Sequence, residues 1–275
     1  MRTIALLNWK GGSAKTTTAL ALSVGLAQQL PKGQRVLLVD SDPQANATLV
    51  MLDGAIPEPP TLTDVLLDDA DAVEAIRKTR VDRLDILPAD RRLRAERRML
   101  LDEVDLGRER RLQIALKSVE NAYTVCVVDC PPHSSILTTN VMQAVSEIIV
   151  PIDPGLFAIA GLGELQASVS RARKYLDHAN LAVSGLLVTR ATGRPATTEL
   201  VKELRDVYGS LVYRIVIPAD ETVEDAHASY RTVMEWAPKS SVAKAYGKLV
   251  TEVLGNVGPA NKRTRKRSPK PRHAA

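Results

Sequence analysis

Short apolar runs alternate with helical patterns from the start of the chain to about residue 255. The runs are "TIALLNW" (3–9), "RVLLVD" (35–40), "LDILP" (84–88), "YTVCVVD" (123–129), "SEIIVPI" (146–152), "AVSGLLVT" (182–189) and "VYRIVIP" (212–218). Each is rich in Val, Ile and Leu and alternates little, as strands buried on both faces of a parallel sheet do. Between them, "KTTTALALSVGLAQQ" (15–29), "GRERRLQIALKSV" (107–119) and "TTELVKELRDVYG" (197–209) space their apolar residues as helices do. "SSVAKAYGKLVTEVLG" (240–255) opens on serine caps and closes on a glycine. The alternation predicts an α/β fold, a doubly wound and mostly parallel sheet flanked by helices.

Residues 53–120 are longer than one β–α unit requires. The acidic, proline-punctuated "DGAIPEPPTLTDVLLDDADAVEAI" (53–76) reads as a surface excursion. The arginine-dense "DRRLRAERRMLLDEVDLGRERR" (90–111) reads as a solvated helix face balanced by its own acids.

Aromatic residues make up only 3% of the 275, so the core is aliphatic. The net charge of +5 misdescribes the folded part. Of the 37 lysines and arginines, seven lie in the last 17 residues, which hold no acid, so residues 1–258 carry 30 bases against 32 acids. This divides the chain into a domain over 1–257 and a basic, disordered tail over 258–275, suited to polyanions. Cys126 and Cys130 alternate along one strand, as core thiols do, which fits a reducing, cytoplasmic setting. The chain opens into a strand with no signal segment, and no apolar run is long enough to span a bilayer.

Candidate chemistry is concentrated in "LLNWKGGSAKTTT" (6–18). A phosphate-binding loop reads G-x-x-x-x-G-K-[ST]. Lys15 and Thr16 are present, but Trp9 and Ala14 stand at the glycine positions, and Gly11 and Gly12 lie between them behind Lys10. Strand, loop and helix follow in the order that delivers main-chain N–H groups and a helix dipole to phosphate. Thr16 is placed to ligate Mg²⁺ and Thr17 to reach the α-phosphate. Trp9 reads as packing for the strand end.

K-G-G-x-x-K-T-T resembles the deviant Walker motif of the ParA/MinD family of ATPases, and the likeness extends over nearly all of residues 2–255, closest to the ParA-like, Soj-type members. That resemblance implies ATP and Mg²⁺ as cofactors, held along Lys10, Gly11, Gly12, Ser13, Ala14, Lys15, Thr16 and Thr17. The family does not require glycine at Trp9. It usually has glycine at Ala14, where alanine is accommodated without strain only at negative φ. Lys10 is implied to cross to the nucleotide of a second subunit, as an arginine finger does, so that ATP drives homodimerisation.

In "VLLVDSDPQANAT" (36–48) the family pattern gives Asp42 the attacking water and Asp40 a supporting place in the Mg²⁺ shell. Asp129 ends a Walker B-type strand and is implied to hold magnesium through water. Pro131 and Pro132 stiffen a turn that the family uses as a γ-phosphate switch. Arg190 in "LLVTRATGR" and Pro218 in "IPADETVEDA" are implied to border the adenine.

Among the branches, an amphipathic membrane helix, cluster cysteines and a tyrosine-rich tail are all missing from this sequence, so membrane insertion is not expected. With the first strand at residue 2, no winged-helix domain precedes it, which disfavours operator binding. The partition branch remains. There, an ATP-bound dimer binds double-stranded DNA without sequence preference, and a ParB-like centromere-binding partner releases it by stimulating slow hydrolysis. That places the protein on the nucleoid in the cytoplasm. Arg205, Arg214 and Lys239 are the folded-domain candidates for DNA, and Lys262, Arg263, Arg265, Lys266 and Arg267 those of the tail. The alternatives are a positioning ATPase for a chemoreceptor or polar complex, and a nucleotide-gated scaffold with negligible turnover.

Overall fold

The computed structural model describes residues 1–94, 107–155 and 158–255. Residues 95–106, the middle of the arginine-dense stretch, and the five DNA candidates of the tail lie outside them, as does the tail's boundary at 258.

Chain order is β1 (Arg2–Leu6), α1 (Lys15–Gln29), β2 (Val36–Asp40), α2 (Asn46–Met51), α3 (Leu62–Leu67), α4 (Ala72–Ala75), β3 (Arg77–Lys78) and β4 (Leu84–Leu87). It continues with α5 (Arg111–Ser118), β5 (Val125–Asp129), α6 (Ile136–Ala144), β6 (Glu147–Ile152), α7 (Ala158–Tyr175), β7 (Ala182–Val188) and α8 (Pro195–Tyr208). Three helices close the domain: α9 (Thr222–Ala228), α10 (Val233–Trp236) and α11 (Ser241–Gly255).

The strands form one sheet in the order β3-β4-β2-β5-β1-β6-β7, parallel except for the short edge strand β3. The expected doubly wound architecture is what forms. Strand side chains alternate between two cores: Ala5, Leu37, Val39 and Val128 face one layer, and Ile4, Leu6, Val36, Leu38 and Val127 the other. α1 and α11 cover the second face, burying Leu20, Leu22, Leu26, Leu249 and Val253. Both faces are covered, which is why the strands read as near-continuous apolar runs.

Two expectations fail, the second in part. Residues 212–218 do not continue the sheet; only isolated bridges join Leu186 to Val212 and Ala191 to Pro218. The cause is a mismatch in register. Tyr213 N–H donates to Leu186 O and Ile217 N–H to Val188 O (2.9 Å each), so the stretch around Arg214 is too long for the two β7 residues it spans. Arg214's own groups lie on the outer side, where its N–H donates to Glu252 Oε1 (3.1 Å) and its carbonyl accepts from Arg205 Nη2 (3.0 Å). The acidic stretch 53–76 is a surface excursion only in its first part, where Asp53, Ala55, Ile56, Glu58 and Pro59 are exposed; from Thr61 it turns inward. Leu62, Val65, Leu66, Leu67, Ala72 and Ala75 are buried in the first core, on helices capped by Thr61 and Asp71. Of its acids, Asp64 and Asp71 cap these helices, and Asp53 and Asp69 form exposed ion pairs with Arg80, Arg231 and Arg111.

Candidate functional site

The parallel strands β2, β5 and β1 end side by side, and their C-terminal edge is where such sheets place ligands. β1 leads into a loop that opens α1 at Lys15, as the strand–loop–helix reading expects. Gly12 (φ 73°) and Ala14 (φ 63°) are both left-handed, so Ala14 takes the conformation in which its methyl group is strained. Thr18 N–H donates to Ala14 O at 2.9 Å, which starts the helix. The N-cap has no side-chain bond, so the first turn's amides remain available to an anion.

A cavity of about 1120 Å³ opens over this turn, walled by Gly11 to Thr17, Asp42, Arg190 and Pro218 among others. Lys15 is buried at its base and its Nζ lies 3.2 Å from Lys10 O. Burial lowers its pKa, and the nearby Asp129, Cys130 and Asp42 offset part of that. Arg190, itself left-handed, donates from Nη1 to Gly12 O (3.2 Å), and Thr189 Oγ1 donates to Ser13 O (3.2 Å). The exit of β7 therefore braces the loop from the side where the base was expected.

Lys10 is not part of the cavity wall. It is an exposed cation whose Nζ pairs with Asp153 Oδ2 at 3.0 Å, just past β6. Asn8 sets the start of this segment by donating to Pro151 O (2.7 Å) and accepting from Lys10 N–H (3.0 Å). Asn8 and Asp153 were not legible as site residues, because their roles depend on the adjacency of β1 and β6.

Asp40 and Asp129 are register partners on β2 and β5, and both are fully buried. Asp42, two residues on, lines the cavity, and its Oδ1 accepts from Gln44 N–H at 2.8 Å. Asp40 is fully engaged: Oδ1 accepts from Asp42 N–H (3.1 Å), and Oδ2 accepts from the N–H and hydroxyl of Thr48 (2.8 Å each). Burial still pushes its pKa up to about 6, against the pull of those bonds. Both oxygens of Asp129 are buried without a hydrogen-bond partner. Burial and then Asp40 hold its pKa well above the usual carboxylate range, despite Thr16 and Lys15 nearby.

An orphaned carboxylate beside a helix-opening threonine fits a divalent cation. No cluster of three or more His, Cys, Asp or Glu side chains at metal-binding spacing occurs among the described residues. Magnesium keeps waters and takes one or two protein ligands alongside substrate phosphates, and Thr16 and Asp129 are of the type it takes.

The DNA candidates separate. Arg205 and Arg214 share one exposed surface beside Glu252, near the C-terminal end of α11. Lys239 is exposed on the loop before α11 begins, so the 15-residue helix, roughly 20 Å long, lies between the two groups. No helix among the described residues is long and apolar enough to cross a membrane.

A glycine-bearing turn between a central parallel strand and a helix, with a buried lysine and strand-end carboxylates, defines a P-loop nucleotide-binding protein. The comparisons with known proteins narrow this. The family model described as an AAA domain matches residues 1–183. The chain is 36% identical to the chromosome partitioning protein ParA of Caulobacter vibrioides (strain NA1000 / CB15N), over 92% of this chain and 94% of that one. It is 34% identical to the sporulation initiation inhibitor protein Soj of Bacillus subtilis (strain 168), over 92% and 98%. Cobyrinic acid a,c-diamide synthase of Mycobacterium smegmatis, solved with an ATP analogue and magnesium, superposes with a TM-score of 0.77 at 30% identity, over 92% and 94%. The chain belongs to the ParA/Soj family of P-loop ATPases.

Proposed function

We propose that the chain is a partition ATPase. With ATP and Mg²⁺ it forms a homodimer that holds duplex DNA without sequence preference, and a ParB-like partner ends the cycle by stimulating hydrolysis. The observation that carries this reading is Lys10. It sits on the phosphate loop yet stands outside its own chain's cavity, exposed and held by Asp153. A cation in that position serves the nucleotide of a second copy better than its own.

The chain's residues divide the work. The amides from Gly11 to Thr17 and the Lys15 ammonium hold the phosphates, Asp42 orients the attacking water, and Arg190 and Pro218 border the base. Thr16 and Asp129 hold the metal, with Asp40 behind them; the metal supplies charge neutralisation at the phosphates. Arg205, Arg214 and Lys239, with the basic tail, contact DNA through its phosphates, so binding weakens steeply with salt.

The test is association of the full-length chain with ATP or ADP, by light scattering, and its retention on duplex DNA across a salt series. Lys15→Ala abolishes ATP-dependent DNA retention, and Lys10→Ala leaves the nucleotide-loaded chain monomeric. Asp42→Ala lowers phosphate release by about a hundredfold or more and traps the DNA-bound dimer. A chain that stays single with ATP, or binds DNA equally with ADP, overturns the proposal.

A further inference from the structure

We infer that Thr48 is a positioning residue for ATP hydrolysis, acting through Asp40 to fix the turn that carries Asp42. The inference rests on the reading of Asp42 as the residue that orients the attacking water.

The turn from Asp40 to Thr48 is closed by its own ends. Asp40 Oδ2 accepts from both the N–H and the hydroxyl of Thr48, and Oδ1 accepts from the N–H of Asp42. Thr48 is the third residue of α2, where a helix has an unpaired N–H. The residue that would normally satisfy it is Ala45, which has no side-chain acceptor and sits at φ 56°. Asp40 therefore caps α2 from a neighbouring strand, and the same carboxylate holds the main chain of Asp42.

The hydroxyl has a second use. A helical threonine usually turns its Oγ to the carbonyl one turn back. Thr48 instead donates to Asp40 and accepts from Ala89 N–H at 3.0 Å, just past β4. Thr48, Asp40 and Ala89 are all fully buried, so water cannot replace these bonds. On the opposite side, Ser41 donates from N–H (3.0 Å) and Oγ (2.6 Å) to Asp129 O. The backbone of residues 40–42 is clamped between β5 and the Thr48–Ala89 link. Asp42's own carboxylate is held from within the turn, by Gln44 N–H. Its place over the cavity is thus set by the clamp, and one hydroxyl forms half of it.

Losing that hydroxyl frees the turn without touching the phosphate loop, so chemistry suffers and nucleotide affinity does not. A displacement of about 1 Å in a reacting group can cost up to a hundredfold in rate. The experiment uses the full chain with saturating Mg²⁺ and duplex DNA. Phosphate release is followed across an ATP titration, and ADP affinity is measured by calorimetry, for Thr48→Val, Thr48→Ala, Thr48→Ser and Asp42→Ala.

The expected result is a kcat lowered about tenfold or more in the Val and Ala variants, KM and ADP affinity within about threefold, and recovery of most of the loss in Thr48→Ser. The Ala variant is favoured by helix propensity, so it carries the test if the Val variant does not fold. An unchanged kcat in the folded Val or Ala variant, with Asp42→Ala inactive, overturns this inference alone. So does a Ser variant as slow as the others, or a loss of ADP affinity matching the loss of rate. If Asp42→Ala hydrolyses like wild type, the reading of Asp42 falls and this inference with it.

Discussion

Two carboxylate pairs, one fully buried (Asp40 and Asp129) and one partly buried (Asp64 and Asp90), are treated in opposite ways. Asp64 and Asp90 share Arg92, which binds Asp64 through Nη1 (2.8 Å) and Nη2 (2.7 Å) and reaches Asp90 through Nε (3.1 Å) and Nη2 (2.7 Å). Thr61 and Thr63 hydroxyls add bonds to Asp90 at 2.6 and 3.0 Å. Burial works to raise both pKa values, but the arginine and the threonines overcome it, and both end lowered. Asp40 and Asp129 have no such cation. Burial raises both, and Asp40 raises Asp129 further. Lys15, the cation beside Asp129, is itself weakened by burial. The first pair is finished by the fold, while in the second Asp129 is left with no hydrogen bond and only a weakened lysine near it, the signature of a site built for something that arrives later.

The strongest way to break this contrast is Asp129→Asn. An amide keeps the shape and removes a buried ionisable group that Thr16 and the burial-weakened Lys15 offset only in part. The nucleotide-free protein should gain about 1–3 kcal/mol, or roughly 3–10 °C in Tm, while phosphate release falls about a hundredfold. Calorimetric scans with and without Mg²⁺–ADP check both halves. If the variant is less stable than wild type without nucleotide, Asp129 has a partner and the contrast is wrong.

The same contrast shows in pH. Asp40 has a folded pKa of about 6, against about 3.9 in an unfolded chain, so the folded form binds its proton more tightly. That contribution favours folding at low pH and is withdrawn as pH rises from about 4 through about 6. Asp64 and Asp90 act with the opposite sign: their stabilisation is present above about pH 4 and lost as pH falls through their lowered values. Between pH 4 and 7 the urea midpoint of the nucleotide-free wild type should therefore fall relative to that of Asp40→Asn by the equivalent of about 2 kcal/mol. The comparison cancels groups of opposite sign such as His227, whose pKa burial lowers. Asp129→Asn flattens that fall. Relative stability that rises over the same interval would contradict the assignment.

Arg92→Ala breaks the finished pair. The guanidinium is about half exposed (49%), so water screens part of the loss. The expected cost is about 1–2 kcal/mol, read as a lower Tm, with ADP affinity unchanged within about twofold. A matching loss of ADP affinity would show that the two pairs are one network.

The unfinished pair was legible in the sequence because it lies at strand ends beside a loop whose residue types announce phosphate. α1 begins at Lys15 and ends at Gln29, as its pattern and the loop before it require. The finished pair was not legible, since Asp64, Asp90 and Arg92 meet only when α3 packs beside the exit of β4. The acids of 53–76 signal surface by composition, although Thr61-x-x-Asp64 is a capping-box pattern that opens α3 and sends Leu62, Val65 and Leu66 inward. Residues 212–218 have a strand's composition, yet the chain from Tyr213 to Ile217 is two residues too long for the part of β7 that it spans, and only tertiary structure shows that. Thr48 was hidden for the same reason. Its hydroxyl matters through Asp40 and Ala89, which lie on other segments.

Ala14→Gly gives the smallest effect and asks whether the functional edge carries backbone strain as well as a carboxyl group with no hydrogen bond. Ala14 is left-handed at φ 63°, where a Cβ costs roughly 1 kcal/mol and glycine nothing. Glycine also loosens the unfolded chain, which offsets part of the gain. The net expectation is about 0.5 kcal/mol of added stability, or roughly 1–2 °C in Tm. ADP affinity should change less than about threefold, because the amides that face the cavity keep their directions. A rise in Tm with unchanged affinity would show that the loop carries strain that phosphate binding does not require. A fall would mean that the half-buried methyl makes contacts worth more than the strain, leaving that carboxyl group alone to distinguish this edge from the finished pair.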